Sequence, residues 1–168
     1  TRLILQDARA HLQLTRQTYD VIISEPSNPW MEGLAALFTR DFFALAKERL
    51  RDGGLFAQWI HAYQMDWGAF AMIGRSFAEV FPDSLLVKMS LARPEGDYLL
   101  VGFKGERQCG LEDAKALQPP SRNAVLNHPQ VLTRLVVSEN LPALFGPGEV
   151  HTDGHPRLEF IAPRLMYH

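Results

Sequence analysis

The chain has 168 residues, enough for one domain with its own core, and 46% hydrophobic with 21% charged residues is ordinary globular composition. A net charge of −2 gives no reason to expect a nucleic-acid partner, since phosphate contacts need clustered Lys and Arg. No apolar run approaches the roughly 18 residues of a membrane span, and no signal-peptide pattern opens the chain.

Cys109 is the one cysteine, so no internal disulfide forms, and a reducing, cytoplasmic location is the default. The opening stretch "TRLILQDARAHL" has no initiator Met and runs at once into strand-like sequence. We expect a chain cut from something longer.

"RLILQDA" (Arg2–Ala8) reads as a short buried strand ending at Asp7, followed by a helical turn or two over 9–16. "YDVIIS" (Tyr19–Ser24) is a second buried strand, apolar and β-branched with turn residues after it. A helix follows. Thr39 is its N-cap, Phe38 and Phe43 are spaced as a hydrophobic staple, and Phe42, Ala46 and Leu50 line one face. Gly53 or Gly54 would supply its left-handed end.

"GLFAQWI" (Gly54–Ile60) is a third strand. Asp66 caps a second helix, Met65 and Phe70 staple it, Phe70, Ile73, Phe77 and Phe81 recur at helical spacing, and Pro82 stops it. "SLLVKMS" and "DYLLVGFKG", joined by "LARPEG", read as an antiparallel strand pair. Beyond them, short helices broken by Pro and a tail of extended character are expected.

The alternation of strands and helices predicts an α/β domain over 1–105 with a mainly parallel sheet, and a helical and extended appendage over 106–168 packed on it. In such sheets ligands bind beyond the carboxyl ends of the strands. Polar residues collect at those ends: Asp7, Ser24 to Asn28, and Gln58 to Gln64.

These motifs carry a resemblance. "YDVII" followed by an acid, Ser and Pro, then "LFT" with an acid and Phe, then "GG" with Gln58 after it, is similar to the second half of spermidine synthases, the polyamine aminopropyltransferases. "SEPSNPW", "QW", "YQM" and the terminal "TDGHPRLEF" resemble spermidine-synthase-like domains, some fused to membrane-spanning modules. The resemblance implies a partial Rossmann-like, class I methyltransferase fold. It also implies that the family's glycine-rich cofactor loop lies upstream, because no G-x-G-x-x-G stretch occurs here. A chain lacking those strands would bind cofactor weakly, or expose a strand edge that favours self-association into a homo-oligomer.

By the same resemblance, the donor is decarboxylated S-adenosylmethionine or S-adenosylmethionine and the acceptor is a polyamine or other amine, with no metal. Glu25 and Asn28 stand where the family has a catalytic Asp and a second acid. Glu25 keeps the charge as base or cation anchor. Asn28 keeps only hydrogen bonding. Asp7 and Ala8 match the family's acidic-Ala pair beside the adenine, with Ser24 on the cofactor side. Ser27, Pro29, Trp30, Gln58, His61 and Tyr63 lie where substrate is contacted.

"SNPW" is also similar to the Asn-Pro-Pro-aromatic motif of amine methyltransferases, which makes methyl transfer the runner-up. A catalytically silent polyamine- or nucleoside-binding domain is the third reading.

Plainer roles compete. Asp7 can simply cap the helix after it, Asn28-Pro29 is an ordinary turn pair, the tryptophans can be packing residues, and His61 a hydrogen-bonded loop residue. "HTDGH" (His151–His155) offers metal-ligand residue types, with His168 as a third, but lacks the spacing of known zinc motifs. Asp153 and Arg157 are expected to fasten the tail. Cys109 has no His–acid arrangement beside it for nucleophilic chemistry.

Overall fold

The computed structural model describes residues 3–31, 33–63, 65–90, 96–107 and 134–165. The linker 91–95, Gln64, Cys109 and His168 lie outside the described residues.

Five strands form one sheet in the order β1-β2-β4-β3-β5. They are β1 (Tyr19–Ser24), β2 (Leu50–His61), β3 (Ser84–Lys88), β4 (Asp97–Phe103) and β5 (Val136–Ser138). β1 and β2 pair in parallel, while β2/β4, β3/β4 and β3/β5 are antiparallel. The α/β architecture and the antiparallel β3/β4 pair match expectation. Among the described residues, however, the sheet is mixed rather than mainly parallel.

The cause lies at the start of the chain. Residues 3–6 form no strand. Leu3, Ile4 and Leu5 are 83%, 42% and 90% exposed, and among the described residues they pair with no strand. Asp7 instead caps α1 (Ala8–Leu14), its Oδ1 accepting from the Ala10 N–H at 2.7 Å.

The helix caps form as their residue types require. Thr39 Oγ1 accepts from Phe42 N at 3.1 Å and starts α2 (Arg40–Glu48). Asp66 Oδ1 accepts from Ala69 N at 2.7 Å and starts α3 (Trp67–Val80). A 3-10 helix (Leu34–Phe38) precedes Thr39.

α2 ends at Glu48 and β2 begins at Leu50, earlier than the glycines suggest. Tyr19 pairs with Leu50 but Val21 pairs with Leu55, so residues 51–54 bulge opposite Asp20 alone. Gly53, at φ 77°, sits in that bulge rather than ending the helix. A Cβ on Gly54 would lie 2.9 Å from the carbonyl oxygens of Arg51 and Asp20.

α2 and α3 bury one face of the sheet. Phe42, Phe43, Phe56, Phe77 and Phe81 interlock there, with ring centroids 5.0 to 6.1 Å apart. Each buried ring contributes about 1.5–3 kcal/mol, so this cluster is the main source of cohesion.

The C-terminal residues continue the same core. β5 adds to β3, and α4 (Leu141–Phe145) packs Phe145 against Trp67 and Phe70. Residues 157–165 are helical, α5 (Arg157–Leu165), not extended. Leu158, Ile161 and Ala162 recur at helical spacing, and Leu158 and Ala162 are buried. Pro163 inside this helix disguises it in the sequence.

Candidate functional site

β1 ends at Ser24, and a cleft of about 360 Å³ opens beyond it. Gln6, Ala8, His11, Ser24, Glu25 and Pro26 line its polar part. Glu25 is exposed and, among the described residues, makes no hydrogen bond or ion pair. Its charge is therefore unscreened by protein. Ala8, Ser24 and Glu25 are thus brought together, but Asp7 does not line this cleft. One of its oxygens is used by the α1 cap. His11 Nε2 lies 2.9 Å from the Tyr19 hydroxyl.

A second group forms where β2 ends. Ser24 and Gln58 are partners in the β1/β2 ladder, so the two groups adjoin through the sheet. Gln58 is fully buried. Its Nε2 donates to the Trp59 carbonyl at 3.1 Å, while among the described residues its Oε1 meets no donor and the buried Trp59 Nε1 no acceptor. Buried polar atoms are normally paired, so Gln58, inside β2 between Ser24 and Leu100, is an exception that calls for a reason.

The loop after β1 folds back over this group. The Tyr63 hydroxyl donates to Asn28 Oδ1 at 2.9 Å. The Asn28 carbonyl accepts from Met31 N at 3.1 Å, which makes 28–31 a turn. Trp30 is buried with its ring edge-on to Tyr63 at 5.6 Å, and Pro29 is buried beside it, while Ser27 faces solvent. Trp30 is thus a packing residue that fixes Tyr63. His61 Nδ1 meets Asp97 Oδ1 at 2.7 Å.

The C-terminal segment fastens that loop. Glu159 Oε1 accepts from Gly33 N at 3.2 Å, and Arg9 of α1, ion-paired with Asp153, donates from Nη1 to the Ala36 carbonyl at 2.8 Å. His151 is fully buried. Its Nε2 donates to the Ala35 carbonyl at 3.0 Å and its Nδ1 accepts from Leu158 N at 3.3 Å. Burial pushes its pKa down, against the opposing pull of Asp153 and Glu159. Burial would raise the Asp153 carboxyl, but hydrogen bonds from Arg9 and Thr39 outweigh it and hold it below the usual carboxylate range. Both ring nitrogens of His151 are therefore committed to protein. Among the described residues no group of three or more His, Cys, Asp and Glu converges on a metal position.

Sequence reasoning passed over Gln6, His11 and Asp97. His11 lies one helical turn after Asp7, within reach of the same cleft, which is a usable signal. Asp97 becomes visible only once the β2/β4 register is known.

Residues 1–92 match the spermine/spermidine synthase domain. The polyamine aminopropyltransferase of Korarchaeum cryptofilum (strain OPF8) is 25% identical over 87 residues, which are 52% of this chain and 27% of that protein. The spermidine synthase of Thermotoga maritima superposes with a TM-score of 0.61 at 18% identity, over 82% of this chain and 46% of that one. A probable spermidine synthase from Corynebacterium glutamicum ATCC 13032 superposes with a TM-score of 0.53 at 18% identity, over 90% and 53%. The chain thus spans about half the length of these solved relatives and about a quarter of the aminopropyltransferase. Among the described residues no helix is long and apolar enough to cross a membrane. The fold is that of the class I methyltransferase-like enzymes. With more than half of its residues matched by one domain, the chain belongs to the spermine/spermidine synthase domain family.

Proposed function

We propose that this protein transfers an aminopropyl group from decarboxylated S-adenosylmethionine to an amine acceptor. The observation that carries the reading is an exposed carboxylate, Glu25, one residue beyond Ser24, whose ladder partner Gln58 holds a buried acceptor with no donor among the described residues. A cationic amine supplies both the positive charge and the N–H donors that this pair lacks. Ala8 and Ser24 would line the nucleoside side of the cleft, while Asp7, outside its lining, caps α1. Asn28, held by Tyr63, would orient the amine, with Ser27, Pro29 and Trp30 shaping the approach.

The reaction needs an amine lone pair aligned with the carbon next to a sulfonium, a task of positioning and charge. Methyl transfer is the second reading, on the sequence Asn28-Pro29-Trp30, whose Asn28 Oδ1 accepts from the Tyr63 hydroxyl.

The test is product analysis. The protein is incubated with each sulfonium donor and a panel of di- and polyamines, and the nucleoside released is identified by chromatography. Methylthioadenosine together with an aminopropylated amine is expected. S-adenosylhomocysteine would transfer the assignment to methylation. Saturable binding of donor and amine with neither product would make this a polyamine- or nucleoside-binding domain.

A further inference from the structure

His61 closes β2 and Asp97 opens β4, and the two are cross-strand partners in the antiparallel ladder. Their Cα positions are set by backbone pairing, and the neighbouring Ala62 N–H to Gly96 carbonyl bond of 3.2 Å holds the strand ends together. The side chains meet at 2.7 Å and are only 21% and 33% exposed. The imidazole sits between Trp59, 6.2 Å away by ring centroids, and Tyr63, 5.5 Å away. Tyr63 is the residue that holds Asn28.

A carboxylate accepts but does not donate, so Asp97 fixes the ring proton on Nδ1 of neutral His61. Nε2 then presents a lone pair, and among the described residues it has no hydrogen-bond partner.

We propose that His61, positioned by Asp97, accepts the proton given up by the attacking amine. This rests on the alkyl-transfer reading above and deepens it by separating two tasks. Glu25 holds charge, while His61 moves the proton. The amine lone pair forms the N–C bond to the alkyl carbon of the sulfonium donor. The C–S bond breaks with its electron pair staying on sulfur, which leaves as a neutral thioether. The proton shed by nitrogen passes to His61 Nε2, and the resulting imidazolium faces the Asp97 carboxylate. The arrangement is that of a base oriented by a third group.

The test combines a spectrum with rates. In the protein labelled with ¹⁵N-histidine, the His61 signals, identified by their loss in His61→Gln, should show Nδ1 protonated and Nε2 bare. Asp97→Asn should shift the ring towards the opposite tautomer. An Nε2-protonated ring in the unaltered protein overturns the proposal without any need for turnover. With methylthioadenosine release as the rate, His61→Ala should lower kcat about a hundredfold with little change in KM, and added imidazole should restore part of the loss. An unaltered kcat in His61→Ala, with methylthioadenosine still forming, overturns the role of His61 and leaves the transferase reading in place. Absence of any alkylated amine from the unaltered protein overturns both. His61→Gln, partly exposed and similar in size, should keep a cooperative melt, so loss of rate there cannot be loss of fold.

Discussion

Gln58 stands beside Ser24 in the β1/β2 ladder with its side-chain oxygen buried and, among the described residues, without a donor. An unmet buried acceptor costs about 1–3 kcal/mol, so the protein carries this group at the expense of stability. Gln58→Met keeps the volume and removes the orphan. It should leave urea-unfolding stability unchanged or raised by about 1 kcal/mol, while amine binding weakens. A loss of stability above about 2 kcal/mol would show that the oxygen is satisfied in the folded protein.

Glu25→Gln should be neutral for folding, within about 0.5 kcal/mol, because the side chain is exposed and unpaired among the described residues. Amine affinity should fall about fivefold by calorimetry, the scale of one exposed ion pair. The difference should shrink as salt is raised, since such pairs are screened. A salt-independent difference would mean that Glu25 acts through packing instead.

His151 predicts an acid-side loss of stability. Above about pH 6.5 the ring is neutral both folded and unfolded, and it adds no pH dependence. As pH falls below that value the unfolded chain takes up a proton that the buried ring resists, so stability declines towards the lower folded-state pKa. The slope is at most about 1.4 kcal/mol per pH unit. His151→Gln should flatten this window in a melting series, although it costs stability overall. Asp153, held below its usual range, acts in a separate window, below about pH 4.

Gly74 is where α3 meets α4. A Cβ there would lie 2.2 Å from the Phe145 ring. Gly74→Ala gains helix propensity of about 1 kcal/mol. The overlap with a buried ring outweighs that gain, and a net destabilisation of about 1–3 kcal/mol is expected by thermal melting. Truncating the ring as well, in Gly74→Ala with Phe145→Leu, should recover part of it.

The elements that announced themselves are those with local causes. Thr39 and Asp66 cap helices because their side chains reach N–H groups three residues on. The phenylalanines of α3 recur at its own period. The missed elements depend on partners distant in sequence. Residues 3–6 look like a strand but pair with none among the described residues, and Val136–Ser138 becomes a strand because β3 offers an edge. The site divides in the same way. Ser24, Glu25 and Gln58 were legible as polar residues closing apolar strands. The bond from Asp97 to His61 spans 36 positions and follows from ladder register alone.

The bonds from Glu159 to Gly33 and from His151 to Ala35 span 126 and 116 positions. The loop bearing Asn28 is synthesised long before Glu159 and His151, so these two of its fastenings form last. During translation the sheet and its phenylalanine cluster can assemble first, and the amine side of the site is tightened last. A nascent chain stalled before residue 151 would therefore hold the phenylalanine cluster and a loop still without its bonds to Glu159 and His151.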